Sequence, residues 1–267
     1  MTLIKKILLY IFLFLFSISY SISAQQAMPD GSFSHSYPID IPPGTNGMQP
    51  QLSLVYNSNG GNGICGIGWS LSCSPAITRD SSYDITFQDV STETLTADHF
   101  LYAGQRLILK NGTENEYYTE KANFQKIEAI FSGDSITHWK ITNKTGMIMY
   151  FGYNSQDHTT ANDGHINAVG KKEKALLWSL SKVEDVHGNY YIIKYQEDAA
   201  HGDYYPRLIR YTKNSIYPLG AYRTILFSYE PRTDHYPSYV PTKINTDKRL
   251  KYITVLVGNN MLNKYCL

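Results

Sequence analysis

Short apolar stretches that alternate with other residues recur along the chain, and glycine- or asparagine-rich turns separate them. A period of two is typical of a β-strand with one buried face. The stretches are Leu52/Leu54/Tyr56, Leu107/Leu109, Tyr191/Ile193/Tyr195, Ile225/Phe227/Tyr229 and Tyr252/Thr254/Leu256, with turn sequences at 42–44, 59–63, 111–112, 144–146 and 187–189. The pattern predicts an all-β fold of short antiparallel hairpins forming a rolled sheet, in which the 23 tyrosines pack their rings and keep their hydroxyls hydrated.

Two segments compete with this interpretation. Residues 119–130 carry Phe124, Ile127 and Ile130 at helical spacing, with no glycine or proline among them. Residues 171–177 could supply a single helical turn. Neither segment changes the predicted class.

A weak internal repeat also indicates hairpins. Trp139 leads to Gly146 and then to Tyr150, while Trp178 leads to Gly188 and then to tyrosines. Each unit reads as an aromatic-led strand, a turn closed by glycine and a tyrosine-rich return strand. Two unrelated hairpins in one β domain explain the pattern equally well.

The first 24 residues have the layout of a secretory signal peptide. Lys5 and Lys6 precede ten apolar residues at 7–16, and small residues lead up to Ala24. A membrane anchor is the alternative, but this run is shorter than the roughly 20 residues that a spanning helix needs. We expect cleavage after Ala24, secretion to the extracellular region or the periplasm, and no stable membrane anchor.

The charge balance argues against a polyanionic partner. The chain carries 24 lysines and arginines against 23 aspartates and glutamates, so no strong field favours nucleic acid. No C-x-x-C or H-E-x-x-H sequence occurs, and no metal site is predicted. Cys65 and Cys73, eight residues apart, either form a disulfide in an oxidising compartment or remain buried thiols.

One glycine motif requires a test for nucleotide binding. Gly61, Gly63 and Gly66 match G-x-G-x-x-G and follow a predicted strand. A phosphate-binding loop needs a helix that opens at the last glycine, because the helix N-terminus holds the anion. Here Gly68 and Trp69 follow in a strand-like context, so we interpret the segment as a glycine-rich connection between strands and predict no cofactor.

Two further clusters lack the context of a catalytic or metal site. Glu114 and Glu116 form the E-x-E sequence found in ADP-ribosyltransferases, but the strand-borne Ser-Thr-Ser that those enzymes carry upstream is absent, which favours a hairpin tip. The histidines and aspartates of residues 154–165 fit neither a zinc nor a calcium spacing. The sequence therefore predicts no catalytic residue and no enzyme activity.

Several blocks of glycine, proline and aromatic residues occur in one recurring order over residues 28–257. In that order the chain resembles the N-terminal domain of the SpvB-type virulence proteins and of the toxin-complex B components, a family associated with RHS/YD repeats. The residues that carry the resemblance are Pro43, Gly44, Tyr56, Asn57, Gly63, Gly66, Gly68, Trp69, Arg79, Trp178, Asp185, Gly188, Asn189 and Tyr195.

The resemblance implies a non-catalytic structural or delivery module of a secreted virulence or toxin-like protein. In such proteins the module joins YD repeats in a hollow shell around a toxic C-terminal region. The implied partners are a downstream RHS/YD-repeat segment or a toxin-complex C-like shell component, together with the effector that it encloses. The motif residues would be structural, and Trp69, Trp139 and Trp178 would be core or shell-lining residues.

The chain also departs from the family pattern. Members usually continue for hundreds of residues, whereas this sequence stops at Leu267, and the ADP-ribosyltransferase arm of SpvB has no counterpart in it. We therefore expect residues 258–267 to be a truncated tail and the effector region to be absent. The alternative function is a free-standing secreted adhesin or glycan-binding β domain that uses surface tyrosine and tryptophan as stacking platforms.

Overall fold

A computed structural model describes residues 26–27, 30–73, 75–91, 96–153, 163–169, 174–198, 201–217, 220–234 and 246–267. The predicted signal peptide lies outside these residues, as does most of the segment at 154–165. Within the described residues the chain is built of β-strands, with a single 3₁₀ turn at Thr45–Gly47. The all-β prediction is therefore confirmed.

Twenty strands are described, and several of them fall where the alternating stretches predict. The strands are β1 Gln26–Ala27, β2 Phe33–Pro38, β3 Ser53–Asn57, β4 Asn62–Gly63, β5 Gly66–Ile67, β6 Trp69–Ser72, β7 Ala76–Arg79, β8 Phe100–Tyr102, β9 Gln105–Leu109, β10 Glu116–Thr119, β11 Lys126–Ser132, β12 Ser135–Thr142, β13 Ile148–Phe151, β14 His165–Asn167, β15 Ala175–Glu184, β16 Asn189–Asp198, β17 Asp203–Asn214, β18 Arg223–Pro231, β19 Lys248–Val257 and β20 Asn260–Cys266.

The competing helical segments are not helical. Strand β11 runs through the second half of residues 119–130, with Ile127 and Ala129 buried on one face of the sheet. The apolar residues thus follow a period of two once the small Ala129 is counted, and Phe124 is exposed in the preceding loop. Residues 175–177 begin β15, and 171–173 lie outside the described part of the chain.

Eight strands close into a ring. Strands β7 to β13 follow one another as antiparallel neighbours, and β15 pairs with both ends of this series. Near its start β15 places Trp178 opposite Ile77 of β7, and near its end it places Lys182 opposite Tyr150 of β13. A single ten-residue strand therefore closes the ring, which leaves no unpaired edge between β7 and β13.

Aromatic side chains fill the ring. Trp139 and Trp178 are fully buried, and their ring centroids lie 5.9 Å apart in an edge-to-face arrangement. Phe100 lies 5.1 Å from Trp139 and 5.8 Å from Trp178, and Tyr117 lies 5.1 Å from Trp139. Aromatic pairs in this geometry add about 0.5–1.5 kcal/mol each beyond their buried area. Both tryptophans of the predicted repeat are thus core residues.

Five further strands, β16 to β20, continue the sheet from β15 as an antiparallel meander. Ile193, Ile209, Ile225 and Val255 lie opposite one another across β16 to β19 and are completely buried. The β12–β13 and β15–β16 pairs confirm the two predicted hairpins. The predicted truncated tail at 258–267 contains β20, which pairs with β19 along its length.

A small sheet of β1, β2, β3 and β6 lies beside the meander. The segment at 39–52 contributes Ile39, Met48 and Leu52 to the same buried core as the isoleucine row of the meander. Two tyrosine hydroxyls fix this segment: Tyr211 donates to the Pro42 carbonyl at 3.0 Å, and the hydroxyl oxygen of Tyr265 accepts from the Asp40 amide at 3.0 Å. The N-terminal segment therefore covers one face of strands that follow it by more than 150 residues.

Candidate functional site

A shallow aromatic patch lies on one face of the small sheet. It consists of Phe33, His35, Tyr56 and Trp69, which line a cavity of about 250 Å³. Strand register places His35 opposite Tyr56 and Tyr56 opposite Trp69. The ring centroids of Tyr56 and Trp69 are 5.3 Å apart, and Phe33, 42% exposed, lies 6.3 Å from Tyr56. The patch offers apolar ring surface to a ligand.

Gly68 packs closely against the Tyr56 ring of this patch. Its φ is +77°, and a Cβ built there would lie 2.6 Å from the Tyr56 ring. The Gly68 carbonyl also accepts the Asn57 amide at 2.8 Å. Only glycine combines this left-handed backbone with so close an approach. Tyr56, Asn57, Gly68 and Trp69, four of the residues that carry the family resemblance, thus lie together at one point of the small sheet.

The glycine motif forms a small hairpin and no helix begins at its end. Strands β4 and β5 pair Asn62 with Ile67 and Gly63 with Gly66. The Arg232 side chain is 99% buried and donates to the Gly63 carbonyl at 2.6 Å and to the Asn62 side-chain oxygen. The Leu250 amide donates to the Ile64 carbonyl at 2.7 Å. These backbone acceptors anchor the hairpin to the meander, in agreement with the predicted connection between strands.

Arg232 is itself paired with Asp234. Its Nε lies 2.9 Å from Asp234 Oδ1, and its Nη2 lies 2.9 Å from Oδ2, which is a two-pronged contact. The hydrogen bonds from Arg232 hold the pKa of the Asp234 carboxyl well below its usual range. The contact of Arg232 with Asn62 and Gly63 is not apparent from the sequence, because these two partners stand about 170 residues earlier in the chain.

Cys65 and Cys73 are not joined by a disulfide. Cys73 is buried in the core, and Cys65 is partly buried against the same core. Burial raises the pKa of the Cys65 thiol to about 12. The sequence left open a disulfide or two thiols at these positions, and the structure contains the two thiols.

Arg79 lies at the centre of a buried ionic network inside the ring. Its guanidinium pairs with Asp89 at 2.5 Å and with Asp98 at 2.8 Å, and its Nε donates to the Ala175 carbonyl at 2.7 Å. Asp89 also accepts the Ile136 amide at 2.9 Å, and Asp98 accepts amide protons of the loop that follows β7. The network ties that loop to three strands. Sequence reasoning singled out Arg79 and missed both aspartates, which lie in a loop without a recognisable pattern.

Asp185, Gly188 and Asn189 form the turn between β15 and β16. Asp185 Oδ1 accepts the amides of His187 at 2.8 Å and Asn189 at 2.9 Å, while Oδ2 accepts the Asn189 side-chain amide at 2.9 Å. Gly188 has a φ of +76°, a backbone conformation that glycine adopts at little cost. These residues shape a turn and leave neither oxygen of Asp185 without a donor.

The remaining motif residues also have structural contacts. The buried Tyr195 donates its hydroxyl proton to the Leu180 carbonyl at 2.6 Å. Gly44 donates its amide to Gln49 Oε1 at 2.5 Å, and a Cβ at Gly44 would collide with the Met48 carbonyl. Pro43 precedes Gly44 in the covering segment and is exposed.

The E-x-E pair lies at a hairpin end, as predicted. Glu114 is exposed in the turn, and Glu116 begins β10. Lys110 at 2.7 Å and Lys126 at 3.2 Å neutralise Glu116, and their hydrogen bonds lower the pKa of its carboxyl. Glu116 is thus part of a surface ion-pair cluster on neighbouring strands.

A second candidate surface is the outer edge of β20. Among the described strands β20 pairs only with β19, so its other side carries unpaired backbone groups. Met261 and Leu262 on this strand are 62% and 55% exposed. The Leu267 amide donates to the Lys251 carbonyl of β19. Because successive amides of a strand point to opposite sides, the amides of Lys264 and Cys266 point away from β19. An edge of this kind accepts an added strand.

Comparison with known proteins agrees with these features. The family model "SpvB: Salmonella virulence plasmid 65kDa B protein" matches residues 27–215. The mono(ADP-ribosyl)transferase SpvB of Salmonella choleraesuis strain SC-B67 is 38% identical over 73 residues, which are 27% of this chain and 12% of that protein. The chain thus spans about an eighth of the length of this curated relative.

Two solved structures share the fold. The N-terminal domain of effector protein SpvB from Salmonella typhimurium strain LT2 matches with a TM-score of 0.64 and 15% identity, covering 85% of this chain and 92% of that domain. The TcdB2–TccC3 crystal structure matches with a TM-score of 0.68 and 18% identity, covering 88% of this chain and 14% of that one. Within the described residues no helix has the length and apolar character needed to cross a membrane. Because the family model covers well over half of the sequence, this chain belongs to the SpvB family of Salmonella virulence plasmid 65 kDa B proteins.

Proposed function

We propose that the chain is a structural module of an exported toxin-like protein, and that it offers the edge of β20 to a further β-rich segment. The observation that carries the proposal is this open edge, with two exposed apolar residues and outward-pointing amides, at the end of a sheet whose other end is closed into a ring. TcdB2 was crystallised with TccC3, and a shell component of that type is the class of partner we propose.

The contacts of the motif residues support a non-catalytic role. Arg79 is saturated by two aspartates and a carbonyl, and Asp185 is saturated by turn amides. The glycine hairpin presents its carbonyls to Arg232 and Leu250. Groups that are fully engaged in holding loops and turns are unsuited to proton transfer or nucleophilic attack.

Hydrogen–deuterium exchange tests the proposal directly. The exchange of the β20 amides is measured with and without a β-rich shell polypeptide of the TccC3 type, supplied in trans. We expect the amides of Lys264 and Cys266 to gain protection, because an added strand would accept their hydrogen bonds. Unchanged exchange of these two amides in the presence of that polypeptide refutes the assignment of β20 as the docking edge.

A matched pair of variants separates edge pairing from side-chain effects. Lys264→Pro removes an outward amide without removing a donor to β19, whereas Lys264→Ala keeps the amide. Both variants lose the contact of the Lys264 ammonium with the Tyr252 ring at 3.7 Å. We expect Lys264→Pro to abolish the protection and Lys264→Ala to retain it. Equal protection in both variants contradicts strand addition.

The aromatic patch supports a second candidate function, glycan binding by an adhesin-type domain. Trp69, Tyr56 and Phe33 present adjacent rings at the surface, which suits stacking against a sugar. A glycan array with wild type and Trp69→Ala tests this function, and Tyr217→Ala, an exposed aromatic away from the patch, is the control. Binding that Trp69→Ala loses and Tyr217→Ala keeps favours this function, and no binding across a broad array rejects it.

A further inference from the structure

A group of metal-ligating side chains lies where β16 turns into β17. One oxygen of Asp198, one nitrogen of His201 and one oxygen of Asp247 all lie within 4.8 Å of one another. The Asp198 carboxylate and the His201 Nδ1 atom are 3.0 Å apart. Asp247 reaches the group from the segment before β19, almost 50 residues later, which is why sequence spacing did not reveal it.

A fourth group adds negative charge to the cluster. Asp203 is directly opposite Asp198 in the strand register, so two carboxylates form a like-charge cross-strand pair. Such pairs destabilise a sheet unless a cation lies between or beside them. Asp203 is 94% buried, and its Oδ2 atom accepts no hydrogen bond. A buried carboxylate oxygen without a donor is costly and points to an absent cationic partner.

The Tyr205 hydroxyl connects β17, the strand that carries Asp203, with Asp247. It follows Asp203 by two residues on the same face of β17 and donates to Asp247 Oδ1 at 3.1 Å. The Lys248 ammonium lies over the Tyr205 ring at 5.1 Å.

We propose that Asp198, His201 and Asp247 bind one divalent zinc-type metal ion, with Asp203 and Tyr205 as the outer shell. A mixed set of one imidazole and two carboxylates suits Zn²⁺, with water in the fourth position, better than Ca²⁺, which takes oxygen ligands. Tetrahedral bonds of about 2.0–2.2 Å separate ligand atoms by roughly 3.3–3.6 Å, which lies between the 3.0 Å of the Asp198–His201 pair and the 4.8 Å limit of the group. The ion would join the β16–β17 turn to the chain that leads into β19.

Titration calorimetry with ZnCl₂ tests the site in untagged, chelator-treated full-length protein. We expect one equivalent of Zn²⁺ to bind, and His201→Gln to weaken binding at least as much as the 10- to 100-fold typical of outer-shell changes. His187→Gln is the control, because His187 is exposed on the neighbouring turn and is absent from the cluster. Equal loss in both variants, or no Zn²⁺ binding by wild type, overturns the proposal.

A second variant and a second metal complete the test. Asp247→Asn keeps an oxygen that can accept from Tyr205 and removes the charge, so we expect it to fold and to lose Zn²⁺ affinity more than tenfold. X-ray absorption at the zinc edge reports whether one imidazole is coordinated, and we expect that signal in wild type. Binding of CaCl₂ without binding of ZnCl₂, or a zinc spectrum without imidazole, refutes the ligand set.

Discussion

Replacing Arg79 tests whether the buried ionic network stabilises the ring. The guanidinium has zero side-chain exposure and holds Asp89 at 2.5 Å and Asp98 at 2.8 Å. Arg79→Met fills a similar volume but leaves both carboxylates buried without their cation. Removing one member of a buried ion pair costs about 3–5 kcal/mol. The remaining donors to the two aspartates, which are backbone amides and one hydroxyl, offset part of this cost. We expect a loss near 3–5 kcal/mol in the free energy of unfolding.

The control is a surface ion pair on the same part of the chain. Arg106 is 35% exposed and lies 3.4 Å from Asp80, so Arg106→Met should cost at most about 1 kcal/mol. Arg79→Lys keeps the charge and loses the two-pronged geometry, and we expect a stability between wild type and Arg79→Met. This variant keeps the test informative if Arg79→Met fails to fold.

The assay is urea unfolding followed by tryptophan fluorescence. Trp178 lies 5.5 Å from the Arg79 guanidinium, and both it and Trp139 are buried in the ring, so their emission reports ring opening. In the Arg79→Met background, Asp89→Asn should recover part of the loss because it removes one uncompensated charge. A loss for Arg79→Met within about 1 kcal/mol of that for Arg106→Met refutes the reasoning.

Three further predictions concern local contacts. Gly68→Ala should lower the free energy of unfolding by about 1–3 kcal/mol, because the φ of Gly68 is positive and a Cβ there would collide with the Tyr56 ring. Gly61→Ala is the control: its Cβ meets open space, so it should change the free energy of unfolding by less than about 0.5 kcal/mol. Equal thermal melts of the two variants contradict this prediction. Burial lowers the pKa of His138 from 6.5 to about 4. As the pH falls, His138 is therefore protonated in the unfolded chain before it is protonated in the folded chain, and the fold loses stability. Wild type should lose about 2–3 kcal/mol between pH 7 and pH 4, and His138→Gln should not lose it. Urea unfolding at both pH values measures the difference. Ellman's reagent should label the exposed Cys266 rapidly and the partly buried Cys65 slowly, with three thiols titrated after unfolding, whereas one thiol would indicate a disulfide.

The hairpins were predictable because their signals are local. Period-two alternation and glycine turns gave β16, β18 and β19, and the repeat gave the Trp139 and Trp178 hairpins. Strand β2 also carries a local signal, because Phe33, His35 and Tyr37 alternate with serines. That alternation would have indicated part of the aromatic patch.

The ring and its ionic centre were not predictable, because they depend on pairs far apart in sequence. Nothing local shows that β15 pairs with both β7 and β13, or that Asp89 and Asp98 meet Arg79. The segment at 119–130 was ambiguous because Ala129 is small and apolar and fits either period. The group of Asp198, His201 and Asp247 likewise combines two residues between β16 and β17 with one from the segment before β19.

The way the ring closes also determines the order in which the molecule can assemble. Strand β15, the second neighbour of β7, lies about 100 residues later in the chain. The arginine that anchors the glycine hairpin lies 169 residues beyond Gly63. Contacts of such high contact order form slowly, because loop closure must precede any stabilising gain. A nascent chain that ends before residue 175 has no strand to close the ring and no arginine to anchor the hairpin. The small sheet of β1, β2, β3 and β6 pairs within the first 80 residues, whereas the ring and the anchored glycine hairpin are completed only after most of the chain has been synthesised.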